Sequence, residues 1–445
     1  MSEHPQAIGA VPLQSGVSYR TVFGSVPRPD LHSMVVWEAD PWDATSLSWK
    51  ENCYVHSGIS GGQIVKGPDA QKLLSRISIN DVYKWDVNRS KHLVMCDENG
   101  YITNHALTQK NGDDEFCMYA GNPWPIIKEL QSGAYAAEML MKPAFIFQIS
   151  GPLSLTVVEK VTQKSQRDVR FLDVKKVNIP GFDTDFELCR IGMSGTLAYE
   201  FRGPNELGPQ VYELICEAGK EHDIKRLGWK TYTVNHFEGG FPQQTVGFVT
   251  ASVIDPVFLA TPEMAQIGLQ RYTGSIDPAN VRTRLRTPGE VDWMWMAKFD
   301  HDFIGRQAVE KEAADPRRKI VNLKWNVDDV TDIYRSLFSG GEHYKRIELP
   351  CGQPQPAGGH ADLVTTSAGK EIGVSSCTTY SYYYRDMLSQ CVIDVGESAL
   401  GNEVIVHWGD FGKRIKQVRA TVVRYPYIDL PRNENYDLDT VPHGA

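Results

Sequence analysis

Several common signals are absent from this chain. It has no apolar run of about 18 residues, the length that indicates a membrane-spanning helix, its eight cysteines form no CxxC pair, and its twelve histidines show no HxxxH spacing. Scattered cysteines are typical of reduced thiols in a cytoplasm rather than of a disulfide framework or a zinc site. The first five residues also lack the basic and apolar parts of a signal peptide. We therefore expect a cytoplasmic protein without a membrane span or a bound metal.

The charge balance argues against two further classes of partner. The chain carries 46 Lys and Arg against 55 Asp and Glu, a net charge of -9. This gives no electrostatic attraction to nucleic acid or to an anionic membrane. Apolar residues make up 41% of the 445 residues, which is ordinary for a globular protein, and this length predicts two or three domains.

The pattern of predicted elements divides the chain into four parts. Residues 1–35 are rich in Gly, Pro and Ser and are predicted to form an irregular arm. Residues 36–300 combine strands and helices in an α+β pattern, and residues 301–430 are mostly strands, as in a small barrel or jelly roll, interrupted by a long loop at 338–362. Residues 431–445 are polar and acidic, and we predict that this tail is poorly ordered.

Periodicity places individual elements in these parts. In the α+β region the predicted strands are Cys53–His56, Gln63–Lys66, His92–Cys96, Tyr101–Gln109 and Glu115–Ala120. Predicted helices begin at Pro68-Asp69, with Ala70, Leu73, Leu74 and Ile77 as one buried stripe, and span 205–221, Trp229–Glu238 and Gln307–Ala314. In the barrel region the predicted strands are Ile320–Trp325, Glu371–Ser375, Thr378–Tyr384, Leu388–Val395, Glu403–Trp408 and Arg419–Tyr425.

Four blocks of sequence stand out by their motifs and spacing. They are Gly67–Ala70 (GPDA); Glu98–Leu107 (ENGYITNHAL) followed by Tyr119–Asn122 (YAGN); Arg190–Gly195 (RIGMSG) leading to Ala198–Phe201 (AYEF); and Leu227–Lys230 (LGWK) through Glu238–Gly240 (EGG). In this order they resemble the folate-dependent aminomethyltransferase superfamily, whose glycine-cleavage T-protein reads roughly EGGIIDDLI in the second block. The resemblance covers residues 50–430 approximately. It implies a T-protein-like fold of two interleaved α+β subdomains that bind folate, followed by a C-terminal β-barrel domain.

Within the superfamily, the segment Gly228–Pro242 (GWKTYTVNHFEGGFP) is similar to the tetrahydrofolate-dependent aryl O-demethylases, the vanillate and 3-O-methylgallate demethylase group of lignin-degrading bacteria. This resemblance implies transfer of the methyl group of a methoxylated aromatic compound to N5 of tetrahydrofolate, giving a phenol and 5-methyltetrahydrofolate. Tetrahydrofolate and a small methoxyaromatic molecule are then the expected ligands, and no lipoyl-protein partner is expected.

The chemistry of an aryl ether agrees with two changes in the motifs. T-protein-like enzymes use the first aspartate of the second block at a nitrogen beside the transferred carbon, and Asn104 stands at that position here. An ether donor has no such nitrogen, but its phenolate leaving group must be hydrogen-bonded or protonated. Tyr232 matches the catalytic tyrosine of the demethylases, and a hydroxyl with a pKa of about 10 is well matched to a phenol. We expect Tyr232 to act as this acid; the alternative is an ordinary half-buried tyrosine on a helix.

The resemblance also implies a folate pocket. Glu200 matches the family glutamate that pairs with the N–H donors of the pterin ring, as a carboxylate suits two parallel N–H donors. Tyr119 and Asn122 match folate-pocket positions, and Asn104 is a further candidate for a folate contact. Phe241 is expected to pack against the pterin or the aromatic donor, with core packing as the alternative.

Three histidines enter the prediction in different roles. His56 matches a histidine that contacts the aromatic substrate in the demethylases, where it would orient or activate a ring hydroxyl; the alternative is a satisfied histidine at the end of a strand. His105 is expected to line the substrate pocket. His236 is predicted to lie on the surface of a helix.

An aromatic acid as substrate would need a cation. Tyr19 and Arg20 lie in the N-terminal arm, which is able to fold over a pocket, and we include both among the substrate-binding candidates. Lys110 follows the second block, close to where the aryl demethylases use an arginine. Arg190 is a third candidate cation, and the sequence does not rank these side chains.

Other functions are compatible with parts of this pattern. A same-fold enzyme that demethylates a sulfonium such as dimethylsulfoniopropionate, or an N-methyl compound, would not need Tyr232, because a neutral thioether leaves without an acid. T-protein activity is disfavoured by the missing Asp-Asp pair. A non-catalytic folate-binding protein, like the iron–sulfur assembly members of the superfamily, is disfavoured because none of the eight cysteines lies in a KGCYxGQE signature.

Overall fold

The computed structural model describes residues 40–57, 61–119, 121–244, 247–260, 272–351 and 359–445, with the backbone alone at 21–26, 34–38 and 229. Its strands are β1 (Thr21–Val26), β2 (Met34–Glu38), β3 (Tyr54–Ser57), β4 (Gly62–Lys66), β5 (Arg89–Cys96), β6 (Ile102–Lys110), β7 (Glu115–Tyr119), β8 (Glu138–Lys142), β9 (Ala144–Ser150), β10 (Val174–Asn178), β11 (Asp185–Cys189), β12 (Ala198–Pro204), β13 (Lys225–Arg226), β14 (Arg318–Trp325), β15 (Asp362–Thr365), β16 (Glu371–Ser381), β17 (Asp386–Asp394), β18 (Glu403–Trp408) and β19 (Lys416–Val423). Its helices are α1 (Trp42–Glu51), α2 (Ala70–Ile77), α3 (Trp124–Gln131), α4 (Ser154–Thr162), α5 (Gly208–Ala218), α6 (Trp229–Gly239), α7 (Pro256–Leu259), α8 (Arg306–Ala314) and α9 (Val327–Ser336).

The first α+β unit is built on a six-stranded sheet in the order β10-β11-β12-β9-β3-β13. All neighbouring strands are antiparallel except the short pair β13 and β3. One face of this sheet, with Val55, Phe147 and Tyr199, is buried against α4 and α5 in a large apolar core. Because side chains alternate between the two faces of a strand, the residues next to these in sequence project from the opposite face.

The second α+β unit is a five-stranded antiparallel sheet in the order β5-β6-β7-β4-β8. Ala106 and Met118 lie on the face that is buried against α2. The apolar stripe predicted for α2 is confirmed, since all four of its residues are buried. Residues at odd spacing from Ala106 along β6, such as Gln109, therefore project from the other face.

The two sheets meet through their polar faces. Arg202 of β12 donates a hydrogen bond from Nη1 to Oε1 of Gln109 on β6, at 3.0 Å. Its guanidinium carbon also lies 4.2 Å from the centre of the Tyr119 ring on β7. Each sheet thus keeps an apolar core on its outer side, and the space between the sheets holds these polar side chains together with small apolar groups around Ile146 and Cys189.

The C-terminal region forms a closed six-stranded barrel in the order β14-β17-β16-β15-β18-β19, which confirms the predicted barrel. Its interior is apolar and includes Leu323, Val406 and Trp408. Helix α9, which the sequence did not predict, begins at Asn326, whose side-chain oxygen accepts hydrogen bonds from the first backbone N–H groups of the helix.

Two predictions within the barrel are wrong: one strand was predicted as two, and another strand was missed, so the two errors cancel in the strand count. Glu371–Ser375 and Thr378–Tyr384 were expected to be two strands, but β16 runs through both, and its pairing with β17 shifts between Ser376 and Thr379. Such a shift is a bulge, which breaks the alternating pattern without ending the strand. Strand β15 was missed because it lies at the end of a Gly- and Pro-containing loop. The number of strands was right although their boundaries were not.

Two segments predicted to be irregular contain regular contacts among the described residues. Within the arm, the backbone of β1 pairs antiparallel with that of β2. The C-terminal tail packs on the first α+β unit, where Val441 is buried in the apolar core and Thr156 donates a hydrogen bond to the carbonyl of Pro442 at 2.7 Å. Asn433 accepts hydrogen bonds from Arg190 at its side-chain oxygen (3.2 Å) and its carbonyl (2.6 Å). The polar composition of the tail concealed these anchors.

Three general features bear on function. No helix among the described residues combines the length and the apolar character needed to cross a membrane. All eight cysteines are free thiols. Within the same described residues, no three His, Cys, Asp or Glu side chains converge in a way that would hold a metal ion.

Docking of the tail can be tested at Asn433. Its amide also donates to the carbonyl of Ala198, so Asn433→Ala would leave buried polar groups of Arg190 and Ala198 without this partner. We expect the free energy of unfolding, measured by urea denaturation, to fall by about 1–3 kcal/mol. The control is Asn435→Ala, because Asn435 is exposed in the same segment and should change stability by less than about 0.5 kcal/mol. Equal stability of the two variants would contradict the docking.

Candidate active site

Three polar residues form a row across the first sheet. Glu200 of β12 pairs in register with Gln148 of β9, and Gln148 pairs with His56 of β3. Residues directly opposite one another in antiparallel strands project to the same face, so these side chains share the face away from the apolar core. Tyr54, two residues before His56, projects from that face as well. Strand register therefore brings a carboxylate, an amide, an imidazole and a phenol together.

A chain of hydrogen bonds runs along this face. Arg202 donates to Oε2 of Glu200 from Nη2 (2.7 Å) and Nε (3.2 Å), and the Gln148 amide donates to Oε1 at 3.3 Å. Gln148 accepts from the hydroxyl of Tyr54 at 2.7 Å, and this hydroxyl accepts from the amide of Asn235 at 3.2 Å. The chain ends on α6, the helix that carries the predicted catalytic tyrosine.

Arg202 is fixed by the second sheet. Besides its hydrogen bond to Gln109, it stacks on Tyr119, whose hydroxyl donates to Glu187 at 3.0 Å. The Arg202 side chain is only 1% exposed. Tyr119, which we predicted as a folate contact, therefore supports Arg202 directly, and Arg202 in turn orients Glu200.

Helix α6 brings two aromatic side chains into the site. Tyr232 and His236 are one turn apart and share a side of the helix, with ring centroids 4.1 Å apart. On the sheet, the ring of His56 lies 4.8 Å from that of Tyr232. The prediction that His236 lies on a helix surface is wrong, since it is 1% exposed. The error arose because α6 is covered on several sides: it packs against α1, β3 and barrel strands in one apolar cluster.

The end of α6 is tied to other parts of the chain. Glu238 forms a buried ion pair with Lys50 of α1 and accepts from the hydroxyl of Ser381 on β16 at 2.6 Å. Burial lowers the pKa of Lys50 to about 8, although Glu238 acts in the opposite direction. The hydroxyl of Tyr425, beyond the barrel, donates to the carbonyl of Gly240 at 2.9 Å. Residues from α1 and from the barrel region thus fix the helix that carries Tyr232.

The histidines that flank Tyr232 are neutral. Burial lowers the pKa of His56 to about 4 and that of His236 to about 3. Nδ1 of His56 lies 3.3 Å from the carbonyl of Leu227, and Nδ1 of His236 lies 2.8 Å from the carbonyl of Tyr232. Because a carbonyl only accepts hydrogen bonds, Nδ1 carries the proton in each ring and Nε2 carries the lone pair.

Tyr232 is held in its protonated form. It is buried, and this burial raises the pKa of its hydroxyl; the nearby Glu200 carboxylate adds to the rise, while a hydrogen bond with the Gln243 side chain acts against it. The ring of His56, a member of the polar row, lies 4.8 Å from the ring of Tyr232, so Tyr232 and the row adjoin each other. A tyrosine that stays protonated at neutral pH is able to donate a hydrogen bond to a departing phenolate, and its raised pKa makes it a weaker acid than a free tyrosine.

A second group of rings adjoins His236. Phe241 lies 5.7 Å from His236 and 5.3 Å from His105, and His105 lies 4.5 Å from Trp293. Nδ1 of His92 and Nε2 of His105 are 3.0 Å apart. Burial lowers the pKa of His92 to about 4, and that of His105 lies well below the usual value. Phe241 and His105 therefore line the same region as Tyr232, as part of a neutral aromatic group.

The structure gives Asn104 a role different from the predicted folate contact. Its side-chain oxygen accepts from the backbone N–H of Asn122 (2.7 Å) and from the amide of Gln244 (3.2 Å), and its nitrogen donates to the sulfur of Met95 at 3.6 Å. Both lone pairs of the oxygen are in use, and the residue is fully buried. The side chain of Asn122 accepts from the backbone N–H of Trp124 at 3.0 Å, at the start of α3. Asn104 thus links β6 to the backbone of Asn122, to the side chain of Gln244 and to Met95 of β5.

The candidate cations do not meet at the site. Lys110 projects from the core face of β6 and pairs with Asp113 at 2.9 Å. Arg190 is buried and anchors the C-terminal tail. We carry neither forward as a ligand for a substrate carboxylate, because each is engaged elsewhere. Tyr19 and Arg20 lie outside the described residues.

Sequence reasoning missed several residues of the site. Arg202, Gln148, Tyr54 and Gln109 were not singled out, although all four belong to the hydrogen-bonded chain. Two of them had a usable signal: Arg202 follows Glu200 by two residues on a strand, and Tyr54 precedes His56 by two, so each had to share its neighbour's face. Gln148 had none, because only strand pairing brings β9 between β3 and β12.

Comparison with known proteins identifies the family of this chain. The GCVT N-terminal domain family matches residues 60–246. The chain is 32% identical to the sesamin methylene transferase of a Sinomonas species, over 91% of this chain and 92% of that protein. The chain belongs to the aminomethyltransferase superfamily. It is also 25% identical to the syringate O-demethylase of a Sphingobium species, over 91% of this chain and 92% of that protein. The glycine cleavage aminomethyltransferase T from Bartonella henselae shares the fold, with a TM-score of 0.64 at 15% identity, covering 95% of this chain and 96% of that one.

Similarity to these two enzymes over 91% of the chain makes it an enzyme of one-carbon transfer whose cofactor is tetrahydrofolate. The residues present fit that ligand. A pterin ring presents several N–H donors, and the site has a surplus of acceptors. Oε1 of Glu200 accepts the single long hydrogen bond from Gln148, and the side-chain oxygens of Asn235 and Gln243 are buried without a hydrogen-bond partner among the described residues.

A structural role for Asn104 has a direct test. Asn104→Ala removes the acceptor for the Asn122 backbone and the Gln244 amide, so the free energy of unfolding should fall by about 1–3 kcal/mol. The affinity of the folded protein for tetrahydrofolate, measured calorimetrically, should change by less than about threefold. Asn99→Ala, in the exposed turn of the same motif, should change neither quantity. Weaker folate binding at unchanged stability would show that Asn104 contacts the cofactor after all.

The neutral histidines predict a pH dependence of stability. A histidine in the unfolded chain titrates near pH 6.5, whereas His56 and His236 stay neutral in the folded protein down to about pH 4 and about pH 3. Their contribution is complete above pH 6.5 and is lost as the pH falls, by about 1.4 kcal/mol per pH unit for each histidine. Urea unfolding between pH 6.5 and 4 should therefore show a shallower pH slope for His236→Gln than for the native chain. His343→Gln, which alters an exposed residue, serves as control; identical slopes for all three proteins would refute the assignment.

Proposed function

We propose that this enzyme takes a one-carbon unit from an aromatic ether, in the first instance a methoxylated ring of the vanillate or 3-O-methylgallate type, and passes it to N5 of tetrahydrofolate. The observation that carries the proposal is Tyr232, a buried, protonated tyrosine between the neutral ring of His56 and the acceptor-rich row at Glu200. A proton donor among the aromatic rings of His56, His236 and Phe241 suits the release of a phenol.

The residues of the chain act on the leaving group. Tetrahydrofolate, when bound, supplies the nitrogen that accepts the carbon. As the bond between methyl carbon and aryl oxygen breaks, its electron pair stays on the oxygen, and Tyr232 donates its proton there to give the phenol. The hydrogen bond with Gln243 favours the tyrosinate that results. Such assistance typically contributes about 10²- to 10⁴-fold to the rate.

The remaining residues position the two ligands. Glu200 is the proposed acceptor for pterin N–H groups, and Arg202 and Gln148 hold its carboxylate in place. His56 is proposed to accept a hydrogen bond from the aromatic substrate at Nε2, since its Nδ1 faces a carbonyl. Phe241 packs beside the same space. These ligands are small molecules, and we propose a cytoplasmic location, which the free thiols support.

A second donor is favoured by one comparison. The relative that shares 32% identity over most of both chains is a sesamin methylene transferase, so a methylenedioxy ring is an alternative to a methoxy ring. Two aryl oxygens would then leave the same carbon in turn and give a catechol. Mass spectrometry of the folate product separates the two, because a methoxy donor gives 5-methyltetrahydrofolate and a methylenedioxy donor gives methylenetetrahydrofolate.

The role of Tyr232 is tested by Tyr232→Phe. With tetrahydrofolate and a panel of methoxybenzoates, we expect kcat to fall by about 10²- to 10⁴-fold with little change in KM, because the hydroxyl acts mainly in the transition state. The loss should shrink for nitro-substituted rings, since a more acidic phenol needs less help to leave. Initial rates of product formation, followed by chromatography, measure both effects.

Tyr199→Phe is the matched control for this experiment. Tyr199 is next to Glu200 but projects into the apolar core, so its loss should leave kcat within about twofold. Full activity of Tyr232→Phe on an unactivated ether would rule out the acid role. Absence of turnover of every aryl ether, combined with turnover of dimethylsulfoniopropionate, would overturn the proposed donor class.

A further inference from the structure

His236 has a polar atom that nothing in the described structure satisfies. Nδ1 donates to the carbonyl of Tyr232 one turn back, which leaves the lone pair on Nε2. That atom is buried and has no hydrogen-bond partner among the described residues, and the whole side chain is 1% exposed. Leaving a buried polar atom unpaired costs about 1–3 kcal/mol. Such an atom in an active site indicates a group supplied by a ligand.

The chemistry of this atom defines the group it would take. Nε2 of a neutral imidazole with its proton on Nδ1 only accepts hydrogen bonds. The ligand must therefore bring an O–H or N–H donor. Neutrality is secured by burial, because the ring sits between Tyr232 at 4.1 Å and Phe241 at 5.7 Å.

The position of His236 favours a donor on the aromatic substrate over one on the cofactor. The rings next to His236 are those of Tyr232 at 4.1 Å and Phe241 at 5.7 Å, and the ring of His56 lies on Tyr232 at 4.8 Å. His236 therefore belongs to the aromatic end of the site, with His56 and Phe241. The carboxylate proposed for the pterin, Glu200, is carried by β12 of the facing sheet.

We propose that Nε2 of His236 accepts a hydrogen bond from a free hydroxyl on the aromatic ring, so that the enzyme selects ethers that retain a phenolic hydroxyl over fully etherified rings. This inference rests on the proposed function and names the substrate class of the same site. Tyr232 serves the oxygen that leaves, and His236, one helical turn away, serves a neighbouring ring oxygen. Oxygens on adjacent ring carbons are close enough to meet two side chains in ring contact. His236 is thus a specificity-determining residue.

The test measures binding without folate and without turnover. Calorimetry compares 2-methoxyphenol with 1,2-dimethoxybenzene on the native protein, on His236→Phe and on His236→Gln. Phenylalanine keeps the ring but removes the acceptor, and glutamine restores an acceptor near the position of Nε2. We expect His236→Phe to bind 2-methoxyphenol about tenfold more weakly, to bind 1,2-dimethoxybenzene within about twofold of the native affinity, and His236→Gln to recover most of the loss.

A spectroscopic measurement separates this role from a packing role. On binding 2-methoxyphenol, the ¹⁵N resonance of His236 Nε2 should move in the direction of a hydrogen-bonded acceptor, and on binding 1,2-dimethoxybenzene it should not. An equal loss of affinity for both rings, no loss for either, native protein that binds neither ring, or a loss confined to tetrahydrofolate would overturn the inference; the last result would assign the acceptor to the cofactor. Failure of every ether to turn over would end the proposed function while leaving the binding difference measurable.

Discussion

Antiparallel pairing of β3, β9 and β12 is the constraint on which the site depends. It aligns His56, Gln148 and Glu200 in one row, although they are far apart in the sequence. A slip of one residue would turn all three toward the apolar core and bring Val55 and Phe147 to the polar face. The apolar core of the first unit therefore fixes the geometry of the chemistry, because burying that face permits only one register. Glu200 is oriented further by an arginine that the second sheet holds.

Asn104 occupies a position of the second block through neutral hydrogen bonds. In the T-protein pattern a carboxylate stands there, and a buried carboxylate requires compensation for its charge. Asparagine is neutral and both accepts and donates, which lets it join Asn122, Gln244 and Met95. The proposed proton donor, Tyr232, is supplied by a different element, the helix that faces the first sheet. The hydrogen bonds of Asn104 and the proposed acid are thus carried by separate elements, β6 and α6.

The sequence predicted about half of the described helices and strands, where apolar periodicity and turn residues specify them locally, and it predicted none from α3 through β12. It failed where the answer depends on contacts between distant segments. His236 was predicted on a surface, because helical periodicity does not show that α6 is enclosed by α1 and barrel strands. Lys110 and Arg190 were candidates by charge, but strand direction and the tail determine what they bind. The tail itself looked disordered because a few specific anchors outweigh its polar composition. Family resemblance supplied Tyr232 and Glu200, whereas strand pairing aligns Glu200 with His56, and the ring of His56 contacts Tyr232.

The contacts at the end of α6 couple the position of this helix to α1 and to the barrel. Its last turn is bound by Lys50 from the first segment of the chain, by Ser381 from the barrel and by Tyr425 from beyond the barrel. The barrel is therefore not an appendage that can be exchanged while the chemistry is retained. Any substitution that alters the seating of the barrel also moves Tyr232 and His236 relative to the sheet opposite. Substitutions at Lys50, Ser381 or Tyr425 would therefore act on substrate preference through the position of α6, although none of the three belongs to the polar row.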